Sequence, residues 1–258
     1  MAAGGPVEID PLSITSLYLK INANGQRIST ATGFVVQYEG RSFLVSNWHV
    51  FSGRHPDTGH PLSRETAAIP DRISVAHQLK HDLGSWQFVA ETLINEDGSP
   101  RWVEHPAGGA VDVACLEIGN LPDDVRIYPL DLALADVDLQ LFPGMQISVT
   151  GFPLGLRPNA CFGIWKTGHI ASDPDYPHRG YAAFLIDATT RGGMSGSPVV
   201  ARAVGARMTA MGYQAGISVT TKFLGIYSSR IHEESEIGCV WRPSLILEVL
   251  RQAASPSR

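Results

Sequence analysis

Three side chains in this sequence have the types and settings that nucleophilic chemistry needs. Ser195 lies in Arg191–Val200, RGGMSGSPVV, with Gly192-Gly193 shortly before it, Gly196 directly after it and an apolar segment following. A serine that attacks a carbonyl needs an exposed hydroxyl and main-chain N–H groups converging on the developing oxyanion. Glycines let a backbone curl that way, although the same composition also makes an ordinary tight turn. A serine nucleophile needs a base, normally histidine, and the base needs a group that fixes its tautomer. Of the nine histidines, His49 has the best setting, in SFLVSNWHVFSG just after an apolar run and before Gly53. A turn or core histidine is the plainer alternative. His55, His60, His81, His105 and His178 lie in Pro-, Asp- or Gly-rich loops, His77 and His169 lie in strand-like runs, and His232 adjoins Glu233 and Glu234.

For the acid, Asp112 follows Gly108-Gly109 and opens the apolar run Val113-Ala114-Cys115-Leu116. A carboxylate drawn inward there needs a partner. A turn aspartate at a strand edge stays open as an alternative. Asp57, Asp82 and Asp97 lie in polar loops and are weaker candidates.

The elements that position these residues read as strands. Segments 13–21, 32–38, 42–47, 71–77, 86–94 and 112–118 are short, rich in Val, Ile, Phe and Tyr, and bounded by turn residues. Segment 119–144 carries many Asp and Pro and no sustained period, so it reads as a connector. A second set follows at 145–152, 160–171, 181–188, 196–203, 222–229 and 238–241. Only 243–253, PSLILEVLRQA, has helical spacing, with Pro243 suited to a first turn. The expected fold is all-β: two six-stranded antiparallel barrels, over 13–118 and 145–253, with a C-terminal helix.

Bulk composition narrows the function classes. The chain has 258 residues, 44% hydrophobic and 17% charged, with a net charge of -5. That excludes disorder and gives no general attraction to nucleic acid. No stretch reaches the about 18 apolar residues of a membrane helix, and the N-terminus has no basic start followed by an apolar run. Cys115, Cys161 and Cys239 are widely spaced in apolar settings, without metal-ligand spacing. They are expected to be buried thiols in a reducing compartment, the cytoplasm. No metal or cofactor is expected.

The order His49, Asp112, Ser195, in SNWHV, DVACLEI and GMSGSP, resembles the trypsin-like (chymotrypsin-fold) serine peptidases. GGMSGSPVV is similar to the serine motif of the glutamyl endopeptidases. GMQISVTGFPLGL, IDATTRGGMSGSP, LGIYSS and IGCVWRPSLILEVL are similar to the high-temperature-requirement protease domain. The resemblance runs over about residues 13–253. It implies a serine endopeptidase acting on protein or peptide substrates, with Ser195 as nucleophile, His49 as base and Asp112 orienting it. The main-chain N–H groups of Gly193 and Ser195 would form the oxyanion hole. Ser228 would support the aspartate, and the strand through Tyr227, Ser228, Ser229 and Arg230 would pair with an extended substrate.

The sequence departs from that pattern in ways that bear on control and specificity. Met194 stands where many secreted members have an aspartate that pairs with a newly cut N-terminus, so no switch of that kind is expected. Val50 replaces a disulfide cysteine. Thr189 and Thr190 fall in the segment that lines the primary pocket, with no acidic residue to attract Lys or Arg. Tyr227 stands where glutamyl endopeptidases carry a pocket histidine, Arg230 where glycine keeps the mouth open, and Gly238 is expected to leave the opposite wall open. A small or medium uncharged residue before the cleaved bond is the expected preference. No peptide-binding (PDZ) domain is expected after Arg258, and segment 201–221 is either a partner-binding or gating loop or a surface excursion. Two other readings stay open. One is a peptidase fold that grips a partner without cutting, or cuts only once a regulatory protein has bound. The other is an α/β-hydrolase, which needs G-x-S-x-G where this chain ends on Ser197.

Overall fold

The computed structural model of the chain describes residues 9–63, 65–158, 161–232 and 234–255. Ala160, where one strand of the second set is expected to start, lies outside them, as do residues 1–8 at the N-terminus.

A short helix, α1 (Pro11–Thr15), capped by the Asp10 side chain on the Leu12 N–H, leads into the first half. There β1 (Ser16–Ala23), β2 (Gln26–Tyr38), β3 (Arg41–Ser46), β4 (Arg72–Leu79), β5 (Trp86–Thr92), β6 (Val103–Glu104), β7 (Ala114–Ile118) and β8 (Val125–Arg126) form one antiparallel sheet. Its order is β5-β4-β1-β2-β3-β7-β6, with β8 on β4. Six strands in a barrel were expected. Two two-residue strands join them, and among the described residues no ladder pairs β5 with β6, whose ends are linked instead by Arg101 N–H on Leu93 O at 2.9 Å. Between those ends, Asp97, Gly98 and Pro100 make a turn closed by an Ile94–Pro100 bridge, a composition that suits a turn and interrupts a ladder.

The second half closes. β9 (Gln146–Gly151), β10 (Ile164–Ile170), β11 (Ala183–Asp187), β12 (Pro198–Val204), β15 (Val219–Arg230) and β16 (Ile237–Trp241) form a six-stranded barrel in the order β10-β11-β16-β15-β12-β9. Between β12 and β15 the chain makes a separate ladder, β13 (Arg207–Thr209) with β14 (Gly212–Gln214). This ladder is tied to the 119–144 stretch through Gln140 N–H to Met208 O (2.9 Å) and Ala210 N–H to Asp138 Oδ1 (2.9 Å).

The terminal helix α3 (Pro243–Ala254) buries Leu245, Ile246, Val249 and Leu250. These side chains share one cluster with Phe34, Phe43 and Val113 of the first half and with Phe223 and Ile226 of the second. One apolar core therefore spans both halves and holds their facing edges, where the candidate residues lie, in fixed relation. Cys115, Cys161 and Cys239 are free and buried, and burial pushes the Cys115 thiol up to about 12. Among the described residues no helix is long and apolar enough to cross a membrane.

Candidate active site

His49 comes from the first half. β3 ends at Ser46, Asn47 starts the single-turn helix α2 (Trp48–Ser52), and Gly53 ends it with φ +66° and its N–H on the His49 carbonyl. Gly53 cannot be replaced cheaply, because a Cβ there would lie 2.3 Å from Pro70 Cδ. Asp112 precedes β7 and is 1% exposed. Its Oδ2 accepts from His49 Nδ1 at 2.7 Å and from the Ser228 hydroxyl at 2.5 Å, and its Oδ1 accepts from the His49 main-chain N–H at 2.9 Å. The burial demand is thus met by three donors. An ionised carboxylate only accepts, so the proton of a neutral His49 ring sits on Nδ1 and the lone pair on Nε2. Asn47 Nδ2 adds a bond to the Asp112 carbonyl at 2.7 Å, locking the start of α2 to the start of β7.

Ser195 comes from the second half, in the loop between β11 and β12. Met194 N–H bonds to Arg191 O at 3.2 Å and Gly193 has φ +91°, the pattern of a type II turn with glycine at its third position. The Gly192 carbonyl accepts from Leu154 N–H at 2.6 Å. The Gly192–Gly193 peptide is trans, and a trans peptide points its C=O and N–H in opposite directions, so the Gly193 N–H faces away from Leu154. Among the described residues neither the Gly193 N–H nor the Ser195 N–H has a partner. Two open main-chain donors two residues apart are the arrangement that can receive an oxyanion. A Cβ on Gly193 would meet Phe152 O at 2.4 Å, so both φ and space call for glycine.

His49 and Ser195 line one cavity of about 380 Å³. No hydrogen bond joins the His49 ring to Ser195 Oγ among the described residues. A second cavity, of about 230 Å³, lies on the other side of Ser195, over Thr190, Arg191, Gly192, Tyr227 and Ser228–Arg230, with Arg191 held by Glu236 at 3.1 Å.

The structure sorts the other expected site residues. Thr190 is buried and its Oγ1 lies 2.5 Å from the Tyr227 hydroxyl. Burial holds that phenol above its ordinary value against the lowering effect of Thr190, so it stays protonated at neutral pH. Thr189 is exposed and does not line the cavity, because alternation along the segment turns its side chain the other way. Gly238 does not leave an open wall: the Tyr227 ring fills that space, and a Cβ on Gly238 would lie 2.5 Å from Tyr227 Cε2. Arg230 pairs with Gly238 across β15–β16, where the register shifts after Tyr227, and it lines the cavity together with exposed Ser229. β12 leaves β15 at the Pro198–Ile226 pair, so the β15 edge from Ser228 onward is not covered by β12.

Thr32 is a site residue that sequence reasoning missed. It is fully buried, gives its N–H to Ser195 O (2.9 Å) and its hydroxyl to Gly193 O (2.8 Å), and accepts from Phe152 N–H (3.2 Å). Its one local signal is a polar side chain inside the apolar run of β2. Met194, the other unforeseen anchor, is fully buried in the barrel core beside Val199, Tyr227 and Val240.

Comparison with known proteins identifies the family and the fold. The family model for the trypsin-like peptidase domain matches residues 31–211. A serine endoprotease from Yersinia pestis superposes with a TM-score of 0.55 at 13% identity, over 96% of this chain and 67% of that one. The protease Anisep from Arthrobacter nicotinovorans gives 0.54 at 16% identity, over 94% and 96%. A thermostable serine protease, AL20, from an extremophilic microorganism gives 0.53 at 11% identity, over 96% and 100%. At such identities the likeness is one of fold. No curated protein matches the chain.

Proposed function

The chain belongs to the trypsin-like peptidase family, and from that premise we propose that it is a serine endopeptidase cleaving protein substrates through a His49-Asp112-Ser195 triad and an acyl-enzyme. In this reading Ser195 Oγ attacks the substrate carbonyl while His49 Nε2 takes its proton. The oxyanion of the tetrahedral adduct rests on the N–H groups of Gly193 and Ser195. His49 then gives the proton to the leaving amine, and a water, deprotonated by His49 in turn, releases the acyl group. Asp112 keeps the ring in the required tautomer and stabilises the imidazolium, with Ser228 steadying its carboxylate.

The observation that carries this reading is the Asp112 carboxylate. It grips both the main chain and Nδ1 of His49, which turns the basic nitrogen to the cavity that Ser195 shares. The reaction further requires Ser195 Oγ to swing towards Nε2 about χ1. Such bonds are commonly long or misaligned in a free enzyme and tighten with substrate. A substrate would lie extended along Ser228–Arg230, adding a strand to the uncovered edge of β15. The shallow cavity over Tyr227 suits a small or medium uncharged side chain before the cleaved bond. One form of the reading in which a partner must first switch the site on has the central peptide of the oxyanion turn reversed. The Gly192–Leu154 bond argues against that. Three free buried thiols fit a reducing compartment such as the cytoplasm.

A fluorophosphonate probe tests the proposal. The intact protein should gain one covalent adduct at Ser195, and Ser195→Ala should abolish it. An unlabelled wild-type protein, or a label persisting in Ser195→Ala, would count against the triad.

A further inference from the structure

We propose that the cavity on the His49 side of Ser195 is an apolar subsite for the side chain of the first residue after the cleaved bond, and that it selects a large aliphatic or aromatic residue. What occupies the cavity rests on the peptidase reading above; the chemistry of its walls does not.

The direction follows from which side chains each cavity holds. The two cavities beside Ser195 have only that residue in common, and only the larger includes His49. In acyl transfer the histidine hands its proton to the leaving amine, so the leaving chain must pass beside His49. The first residue of that chain therefore enters the larger cavity, while the acyl side lies along Ser228–Arg230.

The walls decide what fits. Ile21, Ala31 and Val50 are buried beneath the cavity, and Ile28 and Leu62 stand at its mouth, 37% and 47% exposed. Among the described residues no Asp, Glu, Lys or Arg lines it. A volume of about 380 Å³ exceeds that of the cavity over Tyr227 and accommodates a leucine or phenylalanine side chain, which would also cover the two exposed rim residues. Placing such a group there is expected to improve binding about tenfold or more over glycine.

The outer wall is built as part of the catalytic framework. Leu62 gives its N–H to the Gly53 carbonyl at 2.8 Å, immediately after the helix that carries His49. Between them Arg54 bridges to Pro61 and His55 N–H bonds to His60 O at 2.8 Å, so the intervening chain is a closed hairpin. Leu62 is thereby fixed to α2, and the subsite is formed before substrate arrives.

Two measurements test the subsite, and the first needs no turnover. Isotope-labelled Ser195→Ala protein is titrated with Leu-Ala, Phe-Ala, Gly-Ala and Asp-Ala dipeptide amides and followed by NMR. The Leu and Phe peptides should shift the amide resonances of Ala31, Val50 and Leu62, and the Gly and Asp peptides should not. Adding Leu62→Asp or Ile28→Asp should remove the difference; equal shifts from all four peptides, or none, overturn the subsite. In the second, the intact protein digests a proteome-derived peptide library, and Leu, Ile, Met and Phe should exceed Gly and Asp about tenfold just after the cut. A flat profile from a protein that carries the fluorophosphonate label overturns the subsite and leaves the peptidase reading standing. Selective shifts in a protein that takes no label uphold the pocket and overturn the peptidase reading.

Discussion

The main-chain N–H of Thr32 donates to the carbonyl of Ser195 at 2.9 Å, joining the middle of β2 to the loop of the proposed nucleophile in the other half of the chain. The same residue gives its hydroxyl to Gly193 O, and its carbonyl accepts from the Ser46 hydroxyl one residue before Asn47 and α2. One buried threonine thus references the loops of both Ser195 and His49 to a single strand. Thr32→Val keeps the shape and removes the hydroxyl, leaving Gly193 O and Phe152 N–H short of a partner. A loss of about 1–3 kcal/mol for each group so stranded is expected, read from the urea midpoint. The rate of fluorophosphonate labelling should fall about tenfold or more, because the donors of Gly193 and Ser195 shift together. An unchanged labelling rate would reduce Thr32 to a purely structural role.

Met194 holds the other side of the same loop by burial alone. Met194→Leu should cost less than about 1.5 kcal/mol and label like wild type. Met194→Ala should cost about 2–5 kcal/mol and slow labelling as the turn over Arg191–Met194 loosens. Met194→Asp would sink a carboxylate into the cluster of Val199, Tyr227 and Val240, and should be the least stable of the three by thermal melting. Were Met194→Asp as stable as wild type, a cation would have to reach the site, contrary to the apolar cluster around Met194.

What could be read from the sequence alone depended on how local its cause was. Glycines around Ser195, the alternating apolar runs and the helical spacing of 243–253 are determined by neighbours in the chain. The corresponding turn, β-strands and α3 lie close to where they were expected. Thr32 and Gly193 are 161 residues apart, and such a contact leaves no periodic trace. The same holds for Tyr227 filling the space beside Gly238, which reverses the reading of an open pocket wall. The two-residue strands β6 and β8 are too short for any pattern. Thr189 and Thr190 look equivalent in sequence, and only the alternating exposure that continues past the end of β11 at Asp187 separates the exposed one from the buried one.

Tyr227 should set the size of the residue accepted before the cleaved bond. Its ring lies against Gly238 and its hydroxyl meets Thr190 across the base of the cavity. Tyr227→Val removes the ring, and the cavity should deepen to admit Leu or Phe. In peptide-library profiling the ratio of Phe to Ala before the cut should rise by roughly tenfold or more. A wild-type enzyme that already prefers Phe there would show that the ring moves aside.

His77 should give the fold a specific acid sensitivity. It lies in β4, 1% exposed, and desolvation pushes its imidazole down to about 4 from an ordinary 6.5. The folded value is below the unfolded one, so on acidification the unfolded chain takes up the proton first. Stability from this group is complete above about 6.5, declines as pH falls towards about 4, and levels off below that; the full span is on the order of 3 kcal/mol. Carboxylates titrate in part of the same window, so the wild type must be compared with His77→Gln. In urea unfolding at about pH 7 and about pH 4.5, the variant should lose less stability on acidification than the wild type. Parallel losses would mean that the imidazole gains its proton without cost despite its burial in β4, and would overturn the prediction.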